Sequence, residues 1–301
     1  MIEEATVLIL GAGASRPYGY PLGTELMSIV SSELQAASHS QFRADVILAG
    51  FTQDEAMRFG GVLKKANVSS VDDFLEHNPQ YNAIAKVAIA RALIPCEDAS
   101  RLNHDWYVYL WKALNCYKDD FIHNQIAFIT FNYDRSLEQF LLSSLQAKYN
   151  ISESEASGLL VQLPIFHVHG RLSPLRGLHP NGRPYSTLTH PTIIKEAASG
   201  LRIIYDDFSK DAAFRSGLVY LGRSRRVFFL GMGFHQLNLE RLSLSQWISG
   251  EKTFCTRLGI TDGELRQVAR RFPSLDGVSL DFGSETQDAL AYLRQTGELF
   301  A

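Results

Sequence analysis

Residues 8–23 read LILGAGASRPYGYPLG, and this stretch decides how the rest of the chain is interpreted. An apolar run ends at Gly11 and Gly13, and helix-compatible residues follow. A strand that enters a glycine turn and then a helix typically opens an α/β domain, and backbone N–H groups in such a turn can face a phosphate. The dinucleotide-binding fingerprint would require a third glycine where this chain has Arg16, and no GKS or GKT sequence occurs. We therefore predict an anion-binding turn outside both common patterns, with a further hydrogen bond from Ser15.

Composition narrows the class of protein. The chain has 301 residues, of which 46% are hydrophobic, so a sizeable core is possible. A formal charge of −3 argues against direct nucleic-acid binding. Cys96, Cys116 and Cys255 are far apart, which argues against a zinc ribbon and a disulfide framework and favours a reduced, cytoplasmic location. The chain opens without a signal-peptide pattern, and no apolar run reaches the length of a membrane span.

Short and almost continuous apolar runs predict strands that are covered on both faces. The strong runs are residues 5–10, 126–131, 164–168 and 226–230, and weaker ones are residues 253–258 and 278–282. Helical spacing of apolar residues predicts helices at residues 23–37, 71–76, 81–93, 103–117, 134–149, 206–221, 238–248, 262–271 and 286–296. This alternation predicts an α/β fold with a Rossmann-like, doubly wound parallel sheet.

Two long intervals do not fit simple strand–helix–strand units. The interval at about residues 38–122 is much longer than a crossover helix needs, so we predict a helical module inserted into, or packed on, one domain of residues 1–301. Residues 173–189 are rich in proline, glycine and polar side chains, and they predict a mobile loop near the site.

The sequence TFNYD, from Thr130 to Asp134, follows the second strong strand. Functional groups of doubly wound sheets collect at such carboxyl ends. Asn132 offers a donor and an acceptor, which suits a ribose hydroxyl or a water molecule. Asp134 could contribute to the site or only cap the next helix.

The sequence FHVHG contains His167 and His169, which share one face if the backbone is extended. The spacing permits metal binding, but no third ligand motif accompanies it, so we predict no metal. His169, followed by glycine, is better interpreted as a general base or a ribose ligand. For His167, a satisfied core position and a site role are both open.

A second glycine turn, LGMGFH, contains Gly231 and Gly233 and precedes Asn238. It could approach the adenosine ribose and the phosphates of a nucleotide from the other side. A tight turn that feeds a helix capped by Asn238 explains the same residues equally well, and the role of His235 is open.

Taken in order, these motifs resemble those of the sirtuin superfamily across roughly the first 240 residues. The matching positions are Gly11, Ala12, Gly13, Ser15, Thr130, Asn132, Asp134, His169, Gly170, Gly231 and Gly233. Gly19 and Pro21 continue the likeness after the first turn.

Departures from the family pattern change the expected activity. Leu22 and Gly23 stand where the family's protein deacetylases carry a Phe-Arg pair, and the four-cysteine zinc ribbon has no counterpart. The chain more closely resembles the divergent bacterial branch whose members hydrolyse NAD in antiphage defence. Those proteins carry a helical insertion, often with a stretch like SVDDFL at residues 70–75.

The resemblance implies an NAD hydrolase that releases nicotinamide and ADP-ribose and needs no metal, with Asn132 and His169 as catalytic residues. The implied NAD contacts are Gly11, Ala12, Gly13, Ser15, Arg16, Thr130, Asp134, Gly231, Gly233 and Asn238. It further implies a homo-oligomer or a partner such as a HerA-like hexameric ATPase. A zinc-free NAD-dependent protein deacylase and a non-catalytic sensor of NAD or ADP-ribose are the alternatives.

Overall fold

The computed structural model describes residues 1–68, 70–202, 212–242, 252–269 and 279–300. Its centre is a six-stranded, all-parallel sheet with the strand order β3-β2-β1-β4-β5-β6. The strands are β1 (Thr6–Leu10), β2 (Ile126–Thr130), β3 (Ile165–His167), β4 (Arg226–Leu230), β5 (Lys252–Cys255) and β6 (Ser279–Phe282). The predicted α/β class and parallel sheet are confirmed, and the strand order is that of a Rossmann-like fold.

Both faces of the sheet are buried, which explains the continuous apolar runs. Successive side chains of a strand point to opposite faces. Leu8 and Leu10 therefore join the larger of two apolar clusters, whereas Val7 and Ile9 join the smaller. Every residue of β1 is buried as a result. A run with this burial shows no polar alternation in the sequence.

Helices cover both faces. Before β2 they are α1 (Ala12–Ser15), α2 (Gly23–Leu34), α3 (Gln41–Leu48), α4 (Gln53–Lys65), α5 (Val71–His77), α6 (Asn82–Leu93) and α7 (Asp105–Ala113). After β2 they are α8 (Ser136–Tyr149), α9 (Glu153–Leu160), α10 (Pro191–Ser199), α11 (Ala212–Arg223), α12 (Gln236–Arg241), α13 (Asp262–Ala269) and α14 (Ala289–Thr296). In the described part, no helix is both long and apolar enough to cross a membrane.

The predicted strands are all present, and most are slightly shorter than predicted. Helices α9 and α10 were not predicted, although Ser152 and Glu155 form a capping box at the start of α9. Predicted positions 206–211, 243–248, 270–271 and 278 lie outside the described residues.

The described residues between β1 and β2 form helices and connecting segments, and they contain no strand. Helix α2 packs along α4, and α6 packs against α2, α3 and α10. Their apolar side chains belong to the larger cluster, the one that Leu8 and Leu10 enter. This helical segment therefore lies against one face of the sheet.

The loop after β3 is held by a buried ion cluster. Glu97 accepts from the Arg135 guanidinium at 2.7 Å and from Arg183 at 2.7 Å, and all three side chains are almost completely buried. Arg135 also donates to the carbonyls of Pro174 and Pro184 at 3.0 and 3.1 Å. These contacts argue against the predicted mobility of residues 173–189, because they fix both branches of the loop to the core.

We expect Glu97→Gln to destabilise the fold strongly, because two buried guanidinium groups would lose their shared anion. The expected cost is about 3–5 kcal/mol in the free energy of unfolding, measured by urea denaturation. Glu153→Gln is the matched control, since the ion pair that Glu153 makes with Arg176 among the described residues is exposed. Equal urea midpoints for the two variants would contradict the role assigned to the cluster.

Candidate functional site

The two glycine turns meet at the centre of the sheet. Strand order reverses between β1 and β4, and open α/β sheets bind ligands at such switch points, beyond the carboxyl ends of the strands. Gly11 directly follows β1, and Gly231 directly follows β4. The structure thus places both sequence-predicted turns at the switch point, directly after the carboxyl ends of β1 and β4.

The turns touch each other through their backbones. The Gly11 N–H donates to the Leu230 carbonyl at 2.9 Å, and the Gly13 N–H donates to the Gly231 carbonyl at 3.0 Å. A Cβ atom on Gly11 would lie only 2.6 Å from the Gly231 oxygen. The expectation that these amides face a phosphate is therefore not met for Gly11 and Gly13, whose N–H groups bind the carbonyls of Leu230 and Gly231.

Two residues of helix α7 hydrogen-bond to the residues that follow the glycines of the first turn. The Trp106 indole donates to the Ala14 carbonyl at 2.8 Å, and the Tyr107 N–H donates to the Tyr18 hydroxyl at 2.9 Å. Ala12 begins α1 beside this contact. Arg16 instead is half exposed and pairs with Glu25 at 2.9 Å. Arg16, one of the predicted NAD contacts, thus forms an ion pair with a carboxylate of the protein itself.

Asn132 joins the loop after β2 to the first glycine turn. Its Nδ2 donates to the Gly11 carbonyl and to Ser15 Oγ, both at 2.9 Å. Because a carbonyl oxygen can only accept, the Gly11 contact fixes which side of the amide carries nitrogen. No described residue donates to Asn132 Oδ1, and the side chain is only partly buried. Asn132 therefore keeps one acceptor for a ligand.

Asn132 is held by hydrogen bonds with Thr130 and Ser15, and Ser15 in turn binds Asp134. Thr130 Oγ1 accepts from the Asn132 N–H at 3.0 Å, and Ser15 Oγ donates to Asp134 Oδ2 at 2.7 Å. Asp134 Oδ1 accepts from the N–H of Ser136, the first residue of α8, at 3.0 Å, while the N-cap of that helix is Arg135. Burial raises the pKa of Asp134, against the hydrogen bonds from Ser136 and Ser15. The Asp134 carboxylate thus links Ser15 of the first glycine turn to the start of α8.

His169 lies buried beside Asn238 and Arg241. Burial lowers its pKa, and the Arg241 charge lowers it further, whereas Asp72 and a hydrogen bond with Asn238 oppose the shift. The Arg241 guanidinium approaches His169 Nε2 at 3.5 Å, which favours an unprotonated nitrogen there. His169 is thus a neutral imidazole at neutral pH, as a general base requires.

Asp72, Tyr133 and Arg241 are site residues that sequence reasoning did not assign. The Tyr133 hydroxyl donates to Asp72 Oδ1, and the Tyr133 ring centroid lies 5.9 Å from that of His169. Asp72 comes from α5, more than fifty residues before β2. Asp72 lies in the SVDDFL stretch and Tyr133 in the FNYD stretch, both of which the sequence analysis singled out. Their separation along the chain gives no indication that the two side chains meet.

His167 contacts the Asn132 backbone from β3 and also binds Glu138. Its Nδ1 lies 3.1 Å from the Asn132 carbonyl oxygen, and its Nε2 lies 2.8 Å from Glu138 Oε1. The Arg171 guanidinium is 3.3 Å from the same carboxylate oxygen. Burial would raise the pKa of Glu138, but His167 and Arg171 outweigh burial and hold it at about 2.

The second glycine turn borders a cavity of about 200 Å³, lined by Gly233, Phe234, His235, Ile260, Glu264, Gln267 and Val268. The cap that the sequence suggested for α12 is wrong: His235 is the N-cap, and Asn238 lies inside the helix. Asn238 instead hydrogen-bonds to His169. The helix that follows the second glycine turn, α12, therefore contacts His169 through Asn238.

One group in the described part of the chain has metal-ligand geometry. The ligand atoms of Asp73, Glu76 and His77 lie within 4.8 Å of one another on α5. All three side chains are partly or fully exposed, and exposed acidic groups commonly cluster without an ion.

A scan against protein-family models finds no match, and a search of curated proteins finds none either.

We expect Gly231→Ala to unfold the protein at lower urea concentration. Gly231 has φ +63°, and a Cβ atom there would lie 2.0 Å from the Ala14 nitrogen. Left-handed strain and overpacking together should cost about 3–5 kcal/mol. Gly158→Ala is the control, because nothing lies within 4 Å of a Cβ atom there. The control should gain up to about 1 kcal/mol from higher helix propensity, and equal midpoints would refute the turn–turn contact.

Proposed function

We propose that this protein is an NAD glycohydrolase that cleaves the bond between nicotinamide and ribose. The observation that carries the proposal is the place of His169, which is buried beside Arg241 and the Tyr133 ring at the carboxyl edge of the sheet. Burial there lowers its pKa. Asn132 and both glycine turns end at the same edge, around the switch point between β1 and β4. A neutral base and a polar amide at the switch point of a parallel sheet are parts that this reaction needs.

In the proposed reaction, a water molecule attacks the anomeric carbon of the nicotinamide ribose as the bond to nicotinamide breaks. Nicotinamide leaves as a neutral molecule, and the transition state resembles an oxocarbenium ion. Asn132 Oδ1 accepts a hydrogen bond from a ribose hydroxyl or from the water. His169 receives the proton that water loses, and the products are nicotinamide, ADP-ribose and that proton. A positioned base of this kind contributes roughly 10²–10⁴-fold.

The remaining assignments rest on the sirtuin resemblance together with this geometry. NAD would lie above the floor made by Gly11, Gly13 and Gly231, with its adenosine half towards the Gly233 turn. Ala12, Ser15, Thr130 and Asp134 would shape that crevice, and Arg16 would have to leave Glu25 to reach the pyrophosphate.

The wider role is proposed on the resemblance alone. A free NAD hydrolase would deplete its own cell, so the proposal includes gating by self-assembly or by a HerA-like hexameric ATPase in cytoplasmic antiphage defence. Residues 38–122 would form the inserted helical module of a single domain without a zinc ribbon. Its contribution to the site is Asp72, which accepts from Tyr133.

The deciding experiment incubates the purified protein with NAD, with and without an acyl-lysine peptide, and quantifies nicotinamide and ADP-ribose. We expect release without peptide. Release that requires the peptide would instead indicate a deacylase. Tight NAD binding without turnover, alone and after assembly with genomic-neighbour proteins, would indicate a sensor.

We expect Asn132→Ala and His169→Gln each to lower nicotinamide release by at least about 100-fold, because each removes a group placed at the reacting ribose. His169→Gln is chosen because it keeps most of the buried volume. His123→Ala is the control, since His123 is exposed and lies just before the amino end of β2. Full activity in both site variants, with unchanged melting temperatures, would sink the assigned roles.

The pH profile should report the His169 environment. A base works when it is unprotonated, and burial lowers the pKa of His169 from the ordinary 6.5. Activity, followed as kcat/KM, should therefore stay full at neutral pH and fall only as pH drops through a value below 6.5. Fold stability should fall in the same direction below 6.5, because the unfolded chain then binds the proton more tightly. An acid limb at or above 6.5 would contradict the buried neutral base.

A further inference from the structure

His167 holds the backbone of the residue that the proposed reaction depends on. It is the last residue of β3, in register with Thr130 of β2. Its side chain is only 6% exposed, and its Nδ1 lies 3.1 Å from the Asn132 carbonyl oxygen. That carbonyl accepts hydrogen bonds and cannot donate, so Nδ1 must carry a proton for the contact to form.

The opposite ring nitrogen faces a carboxylate. Nε2 lies 2.8 Å from Glu138 Oε1, and Arg171 stands 3.3 Å from that oxygen. A guanidinium next to the carboxylate favours its ionised form, which also only accepts. Both nitrogens of His167 thus face acceptors. Glu138 consequently fixes the orientation in which Nδ1–H points at Asn132.

We propose that His167 is a positioning residue for the hydrolysis proposed above, on which this role rests: it holds the Asn132 carbonyl through Nδ1–H, and Glu138 orients its ring. The Asn132 side chain is fixed from the β1 side by Gly11 and Ser15. His167 fixes the same residue from the β3 side. Together they set where Asn132 Oδ1 meets the substrate.

Precise placement explains why such a contact matters for rate more than for binding. Asn132 Oδ1 is one acceptor on a short turn, and a displacement of about 1 Å at a reacting group can cost about 10²-fold. The pyrophosphate and adenosine would be held elsewhere in the crevice. Loss of the His167 contact should therefore lower kcat and leave the KM for NAD almost unchanged.

Two substitutions separate the Nδ1 contact from the Nε2 contact. In His167→Asn, the amide nitrogen takes the place of Nδ1 and can still donate to the Asn132 carbonyl. In His167→Gln, the amide nitrogen takes the place of Nε2 and can reach only Glu138. We expect His167→Gln to lose about 10–100-fold in kcat with KM within about 3-fold, and His167→Asn to stay within about 5-fold of wild type.

A double variant protects the test against a folding defect. His167→Asn leaves the Glu138 carboxylate with Arg171 alone, which could destabilise the chain. His167→Asn combined with Glu138→Gln removes that buried charge and should again keep kcat within about 5-fold of wild type. Full kcat in His167→Gln would overturn the proposal, and so would equal losses in all three variants at unchanged melting temperature.

A spectroscopic arm makes failure of this role distinguishable from failure of the proposed function. The Asn132 carbonyl belongs to the peptide group whose nitrogen is the Tyr133 amide. We expect the Tyr133 amide resonance to keep its wild-type position in His167→Asn and to move in His167→Gln. An unmoved resonance in His167→Gln would overturn the contact even if NAD is hydrolysed. Absence of nicotinamide release from wild type would refute the function, while the resonance still decides whether His167 holds Asn132.

Discussion

The backbone contact between the two glycine turns constrains everything else in the site. Gly13 donates to the Gly231 carbonyl at 3.0 Å, and neither residue has a side chain to keep the turns apart. Because β1 and β4 are adjacent at the centre of the sheet, this contact joins the two turns at the switch point. It also leaves the Gly11 carbonyl facing the loop after β2, where Asn132 binds it. The position of the proposed catalytic amide therefore follows from the glycine packing.

The polar groups around Asn132 are linked to one another by hydrogen bonds. Unpaired buried polar atoms are costly, so each donor near the sheet edge needs an acceptor within the fold. Ser15 satisfies both Asn132 and Asp134, and Asp134 satisfies the start of α8. This arrangement explains why several residues that match the sirtuin pattern point into the protein. Their contribution to a nucleotide site would be the rigidity of Asn132, with Oδ1 left to face the ligand.

The sequence predicted the strands well because double-sided burial leaves an unmistakable apolar run, as in β1 and β4. It also predicted which residues reach the sheet edge, since that follows from strand ends. It could not predict hydrogen-bond direction, so the N–H of Gly13 was expected to face a phosphate and instead faces Gly231. The sequence also could not predict contacts between residues far apart in the chain. Asp72, which accepts from Tyr133, comes from α5. The composition of residues 173–189 gives no sign of the buried ion cluster around Glu97.

The two histidines of FHVHG show how environment divides one repeated residue into two roles. His167 meets a carbonyl and a carboxylate, and both of these groups only accept hydrogen bonds. His169, two residues later, meets a guanidinium in a buried setting that lowers its pKa and keeps a nitrogen unprotonated. In this chain one histidine is suited to accept a proton, and the other to hold the amide beside it in place.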